Sequence, residues 1–204
     1  IHLINFYHWL QQGLLIDIDL QNEPQFYYQF RDRFNRLALN GGATTLEAAQ
    51  IFYYLNRTGY NGLCRFNSKG EFNVPFGSYK VINYVRNFLD YRSVLSNWVF
   101  TARDFCELPV ERHDFIYADP PYDVEFTRYS QHNFVWEDQV RLAEWLARHP
   151  GPVVASNQAT DRILALYEKL GFTLHLLDGP RRISCNGDRT PAREVLAYRG
   201  ISLG

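Results

Sequence analysis

The sequence predicts an α/β protein with a mainly helical first third and a largely parallel sheet in its second half. Three observations predict it. Apolar residues recur at three-and-four spacing through the first 53 positions, the pattern of helices with one buried face. Beyond residue 98, short apolar runs alternate with amphipathic stretches, the order expected of strands joined by crossover helices. The composition, 46% hydrophobic and 21% charged over 204 residues, suits a folded globular chain, and no run approaches 18 consecutive apolar residues.

Each element follows from its residues. Leu3, Phe6, Tyr7 and Leu10 share one helical face that stops near Gly13. Pro24 suits a first helical position ahead of Phe26, Tyr27, Phe30, Phe34 and Leu37, and Asn40-Gly41-Gly42 ends that helix. Thr44 with Glu47 reads as a capping box opening a third helix, with Leu46, Ala49, Phe52 and Tyr53 inward. Over 58–79 the periodicity dissolves into Gly, Asn, Ser and Pro, and a loop that long usually carries function. A helix resumes over 83–96, with Val85, Phe88, Leu89 and Leu95 inward. Strands are expected at 98–102, 115–118, 152–156, 172–177 and 194–198, with helices at 137–149 and 160–170. Strands apolar on both sides imply a sheet covered on both faces, and ligands of such sheets sit beyond the carboxyl ends of the strands. No G-x-G-x-x-G turn follows any of them.

Charge is balanced only on average, at 21 Lys and Arg against 22 Asp and Glu. Residues 57–103 hold seven bases and two acids, whereas 104–180 hold thirteen acids and six bases. Residues 181–199 are basic again, with five arginines against two acids. A basic segment rich in aromatics and Asn can follow a phosphate backbone, although most charge runs are solvated faces. Cys64, Cys106 and Cys185 stand far apart and odd in number, which argues against a disulfide framework and for a reducing compartment. The six histidines form no H-x-x-x-H or Cys/His ligand pair, so no metal is expected. With no methionine and Ile1 first, the sequence reads as N-terminally incomplete.

Asp119-Pro120-Pro121-Tyr122 follows the apolar run 115–118, at the carboxyl end of an expected strand. Two prolines fix φ and leave carbonyls as acceptors in a stiff turn, Asp119 adds a carboxylate, and Tyr122 adds an aromatic face. Such a turn suits a planar group bearing an amine, held by Asp119 and the Pro120 carbonyl and stacked on Tyr122. The plainer reading, a strand-ending turn with a capping Asp, stands beside it.

This turn resembles that of the Dam-type DNA adenine-N6 methyltransferases. The stretch Asn56-Arg57-Thr58-Gly59-Tyr60-Asn61-Gly62-Leu63-Cys64-Arg65-Phe66-Asn67, continuing Gly70-Glu71-Phe72-Asn73-Val74-Pro75-Phe76-Gly77, is similar to the family's DNA-recognition segment. Ser156-Asn157 and the closing Arg181-Arg182-Ile183-Ser184-Cys185-Asn186-Gly187 match further family positions, and the similarity spans essentially the whole chain. The resemblance implies a Rossmann-like methyltransferase sheet over 98–204, a target-recognition region over 14–97, and a remnant of the catalytic domain over 1–13. It implies S-adenosylmethionine as methyl donor, duplex DNA containing GATC as partner, a monomer, and the cytoplasm of a bacterial or phage-infected cell.

Carried over residue by residue, Asp119, Pro120, Pro121 and Tyr122 grip the flipped adenine, and Asp104, Phe105 and Asp119 stand beside the cofactor. Tyr60 enters the duplex, Asn61 holds the opened site, and Leu63, Arg65 and Pro75 contact bases. Asn67, Lys80, Arg182 and Asn186 complete the expected DNA contacts, while Ser78 stands where family members often carry Arg. The family's Lys-containing Gly-rich turn, its Phe-x-Gly-x-Gly loop and its acidic ribose residue have no counterpart in these residues. A DNA-binding remnant without methyl transfer is therefore the second reading. An RNA or protein methyltransferase would not need the segment from Tyr60 to Pro75.

Overall fold

The structure, a computed structural model, describes residues 1–123, 134–179 and 192–201. The chain divides into two compact units, Ile1–Ala102 and Arg103–Gly204.

In the first unit, α1 (His2–Gln11) and α2 (Pro24–Leu39) both pack on α3 (Leu46–Thr58). Pro24 takes the first turn of α2, where a missing N–H costs nothing. The central helix is buried on nearly every side, from Ala48 through Leu55, and its neighbours supply Tyr27 and Phe34. The cap expected at Thr44 belongs to Thr45, whose Oγ1 accepts the Ala48 N–H at 3.2 Å. Glu47 pairs instead with Arg33.

The expected helix over 83–96 shrinks to α4 (Tyr91–Leu95). Pairing across the unit overrides local periodicity: Ile16 N–H donates to the Arg86 carbonyl at 2.8 Å and Phe88 N–H to that of Leu14 at 2.9 Å. The Val85 N–H is taken by the Tyr53 hydroxyl. Phe88 and Leu95 are buried as expected, but Val85 and Leu89 face outward. The strand expected at 98–102 is absent too, with Trp98 59% and Val99 87% exposed. Among the described residues no backbone pairs with it in a ladder.

The second unit holds β1 (Ile116–Ala118), α5 (Trp136–Arg148), β2 (Val153–Gln158), α6 (Asp161–Lys169), β3 (Thr173–Gly179) and β4 (Ala192–Arg199). The sheet order is β1-β2-β4-β3. β1 and β2 are parallel, while β4 is antiparallel to both β2 and β3. The sheet is thus mixed rather than largely parallel: three strands run one way, and β4 lies between two of them. Strands consecutive in sequence can pair antiparallel without a crossover helix, as β3 and β4 do.

Val153, Ala155, Val195 and Ala197 share one face and form a core with Leu142, Ala143 and Leu146 of α5 and Ile163 and Tyr167 of α6. Helices were expected on both faces; among the described residues they pack on this one. The crossovers β1-α5-β2 and β2-α6-β3 step across the sheet in the same direction, and crossovers of one hand then fall on one side. No described helix is long and apolar enough to cross a membrane.

Candidate functional site

β1 ends at Ala118, and the chain leaves the sheet through Asp119-Pro120-Pro121-Tyr122-Asp123. The register Ala118↔Ala155 sets Ser156 and Asn157 of β2 beside this turn. Ser156 Oγ donates to Asp119 Oδ1 at 2.6 Å, and the Tyr117 hydroxyl donates to the same Oγ at 3.2 Å. Asp119 is exposed, and among the described residues its Oδ2 makes no hydrogen bond. Pro120 is buried, Pro121 exposed, and Tyr122 half-buried. Burial raises the Tyr122 phenol, so its ring stays neutral. The turn therefore offers an oriented carboxylate oxygen next to a half-buried aromatic ring.

The far end of the turn is clamped. Asp123 N–H donates to Asn157 Oδ1 at 3.0 Å, Asn157 Nδ2 donates to Gln139 Oε1 at 2.9 Å, and Gln139 Nε2 donates to the Pro121 carbonyl at 2.8 Å. The Asp123 carboxylate is 7% exposed and accepts from Thr160 Oγ1 at 2.8 Å and Arg162 Nε at 2.6 Å. Burial pushes the Asp123 carboxyl up, but Arg162 and Thr160 outweigh it and hold the pKa down. The Arg162 guanidinium also lies 4.7 Å from the Trp136 ring centroid.

Asp104 caps a 3₁₀ turn, Phe105–Glu107, by accepting the Cys106 N–H at 2.9 Å. Both its oxygens meet Arg141 of α5, at 2.8 and 2.9 Å. Those bonds, with that from Cys106, bring its carboxyl down to about 2. Phe105 lies under the same guanidinium, 4.3 Å from centroid to carbon, and edge-on to Trp145. Helix α5 thus touches both candidate sites in this unit, through Gln139 at the acceptor turn and Arg141 at Asp104. The sequence offered Asp104 as an acceptor beside the cofactor or as a loop carboxylate or cap; in the structure it is a cap, paired with Arg141.

In the first unit, residues 59–77 form an irregular hairpin with bridges Gly59↔Phe76 and Phe66↔Phe72. Helix α2 grips its inner strand. The Asn35 side chain accepts the Phe72 N–H at 2.8 Å and donates to the Phe72 carbonyl at 3.1 Å, imitating a ladder rung. The Tyr27 hydroxyl donates to the Val74 carbonyl at 3.0 Å. Phe72 and Val74 are buried, so the intervening and flanking residues turn outward.

Tyr60 is 45% exposed on a 3₁₀ turn, Tyr60–Gly62. Its N–H donates to the Pro75 carbonyl at 2.9 Å, which brings these two residues together. Asn61 takes the left-handed conformation at φ 52°, one of the few side chains that tolerates it. Leu63 is half-buried, and Arg65, Pro75 and Lys80 are exposed. Arg65 Nε donates to Asn73 Oδ1 at 2.8 Å and its Nη2 to the Asn73 carbonyl at 3.2 Å. Asn67 is occupied within the loop: its Oδ1 accepts the N–H groups of Lys69 and Glu71, and its Nδ2 donates to Glu71. Ser78 also has φ 52°. Arg182 and Asn186 lie outside the described residues.

Two residues of the turn's support went unnoticed in the sequence, Gln139 and Asp123. Gln139 had a signal: it stands three, four and seven places before Leu142, Ala143 and Leu146, so it is a polar residue on the buried stripe of α5. Among the described residues no group of three or more His, Cys, Asp or Glu is placed to hold a metal ion.

The family model for D12 class N6 adenine-specific DNA methyltransferases matches residues 4–183. The chain is 36% identical over 188 residues to a DNA adenine methylase of Escherichia coli strain K12, covering 86% of this chain and 65% of the relative. It is 33% identical over 190 residues to the retron Ec67 DNA adenine methylase of Escherichia coli, covering 89% and 65%. It is 36% identical over 187 residues to the type II methyltransferase M.MjaIII of Methanocaldococcus jannaschii, covering 85% and 63%. The chain thus spans under two thirds of the length of these relatives.

Proposed function

This chain belongs to the D12 class N6 adenine-specific DNA methyltransferase family, and from that premise we propose that the intact protein methylates N6 of the adenine in duplex GATC. The observation that carries the reading is the acceptor turn: Asp119 held by Ser156 with one oxygen open, beside the half-buried ring of Tyr122. In this reading Asp119 and the Pro120 carbonyl accept the two N6 hydrogens, and Tyr122 stacks on the purine. The amine lone pair then points away from both acceptors. Alignment supplies most of the acceleration, and Asp119 need not act as a strong base.

S-adenosylmethionine supplies the methyl group when bound. Asp104, Phe105 and Asp119 are assigned to hold it, and their chemistry fits a donor-rich ligand. Asp119 offers a free oxygen to an amine, and Phe105 an apolar wall. Asp104 keeps lone pairs beyond those used by Arg141, so an exocyclic amine can share its carboxylate. The three same-direction strands, with the turn at their carboxyl end, support assignment of the sheet as part of a Rossmann-like methyltransferase core.

On the DNA side, flipping the adenine costs a few kcal/mol, and aromatic stacking returns about 1–3 kcal/mol per base. Tyr60, exposed and fastened through its N–H to Pro75, is assigned to fill the gap, with Asn61 beside it. Arg65 reads guanine, Leu63 and Pro75 meet the thymine methyl, and Lys80 meets phosphate. Asn67 shapes the loop that presents them. Residues 14–97 are then the recognition region and 98–204 the catalytic one. Residues 1–13, whose helix packs on α3, are joined to the catalytic region by sequence resemblance alone. The protein acts as a monomer.

The test is methyl incorporation into GATC duplex by the intact protein. Asp119→Ala is expected to abolish incorporation and retain duplex binding. Unchanged incorporation refutes the role of Asp119, and duplex binding without any incorporation by the wild type establishes the binding-only reading.

A further inference from the structure

Proline chemistry stiffens the first half of the acceptor turn and no more. Asp119 and Pro120 each precede a proline, which confines both to extended backbone, and the two rings fix φ of Pro120 and Pro121. The torsions left soft are ψ of Pro121 and both torsions of Tyr122. These place the tyrosine ring and decide how the turn rejoins the unit.

Two buried carboxamides pin them. Gln139, 3% exposed, donates Nε2 to the Pro121 carbonyl at 2.8 Å and so fixes the peptide plane between Pro121 and Tyr122. Asn157, fully buried, accepts the Asp123 N–H at 3.0 Å and fixes the next plane. The amides are locked to one another, since Asn157 Nδ2 donates to Gln139 Oε1 at 2.9 Å. Gln139 thus uses its donor on the turn and its acceptor on the strand, and it joins α5 to β2 through the turn. A core that wanted only burial at this position would hold leucine, as it does one turn later at Leu142.

We propose, on the adenine-methyltransferase reading above, that Gln139 is a positioning residue for methyl transfer: it sets the Pro121 carbonyl, and with it the Tyr122 ring, against the target base. It touches neither base nor donor. Its loss leaves the recognition hairpin intact and blurs the geometry in which the amine is held, so turnover falls while duplex affinity stays.

The test uses the intact protein and three variants. Gln139→Glu keeps size and the acceptor for Asn157 but loses the donor to Pro121. Gln139→Leu loses both, and Leu142→Ala destabilises the same helix face without touching the turn. Both Gln139 variants are expected to lower kcat about 10–100-fold, with KM for GATC duplex and duplex Kd unchanged. Leu142→Ala is expected to lower Tm at least as far as Gln139→Glu with wild-type kcat. Wild-type kcat in Gln139→Glu overturns the proposal, as does an equal loss of kcat in Leu142→Ala. If Gln139→Leu fails to fold, Gln139→Glu decides alone. Absence of incorporation by the wild-type protein overturns the methyltransferase reading itself, a result distinct from a selective loss in the variants.

Discussion

Replacing Asn73 by alanine tests whether the guanine reading proposed for Arg65 depends on how its guanidinium is held. Arg65 Nε donates to Asn73 Oδ1 at 2.8 Å and Nη2 to the Asn73 carbonyl at 3.2 Å. Both bonds lie on the Nε/Nη2 edge, so the end of the fork, Nη1 with the second hydrogen of Nη2, is what remains for O6 and N7 of guanine. Alanine removes the shorter bond and leaves the longer. An arginine side chain carries about 2 kcal/mol of rotamer entropy, and freeing one of two anchors returns roughly half of it, about 1 kcal/mol. That is a sizeable share of the about 1–3 kcal/mol that a bidentate pair contributes to discrimination. The ratio of kcat/KM for GATC over AATC duplex should therefore fall about fivefold in Asn73→Ala. The salt dependence of binding should hold, because no phosphate contact is lost. Arg65→Lys, which keeps charge but has no fork, should erase most of the ratio. If Arg65→Lys lowers the ratio and Asn73→Ala does not, pre-orientation by Asn73 is refuted.

Two further outcomes follow from local geometry. In Arg141→Ala, the Asp104 carboxyl, held at about 2 by the Arg141 hydrogen bonds and then by Cys106 N–H, should titrate close to the ordinary carboxylate range when followed by carboxyl NMR. Its folded pKa lies below the unfolded one, so any stability the pair lends is complete above the ordinary carboxylate pKa and lost as pH falls to about 2; curves that fail to converge there would contradict the pairing. Thr45→Ala should cost about 1 kcal/mol in urea unfolding, whereas Thr44→Ala should change little; the reverse order would return the cap to Thr44.

Helices and strands were legible where the period of the sequence matched the burial the fold imposes. Leu10, Tyr27, Phe34 and Phe52 fall on the stripes that three-and-four spacing drew, and the strands at β1 to β4 lie within a few residues of their expected runs. The larger failures share one cause, partners outside the segment itself. Val85 and Leu89 have helical spacing, yet residues 86–88 bond to 14–16, and the peptide groups that a helix would use are already spent. The direction of β4 was hidden because strand direction is a property of the pair, not of either strand. At the turn, the exposed carboxylate of Asp119 and the two prolines could be expected from the residues themselves. The ion pair that occupies Asp104 could not, since Arg141 lies 37 positions away on another element.

The two units meet one difficulty in the same way. A loop that presents side chains to a ligand cannot use ladder bonds for all its peptide groups, and those it buries must be paired. Asn35 brackets Phe72, Asn67 takes the N–H groups of Lys69 and Glu71, Asn157 takes that of Asp123, and Gln139 takes the carbonyl of Pro121. Each is a carboxamide, which carries donor and acceptor together without charge. A carboxylate in the place of Asn35 would accept from Phe72 N–H but set an oxygen against the Phe72 carbonyl, and burying that charge would add its own cost. A hydroxyl could satisfy one group but not span both. Polar residues that composition would assign to solvent therefore stand at the anchors of both candidate loops, and the backbone of each loop is held by them.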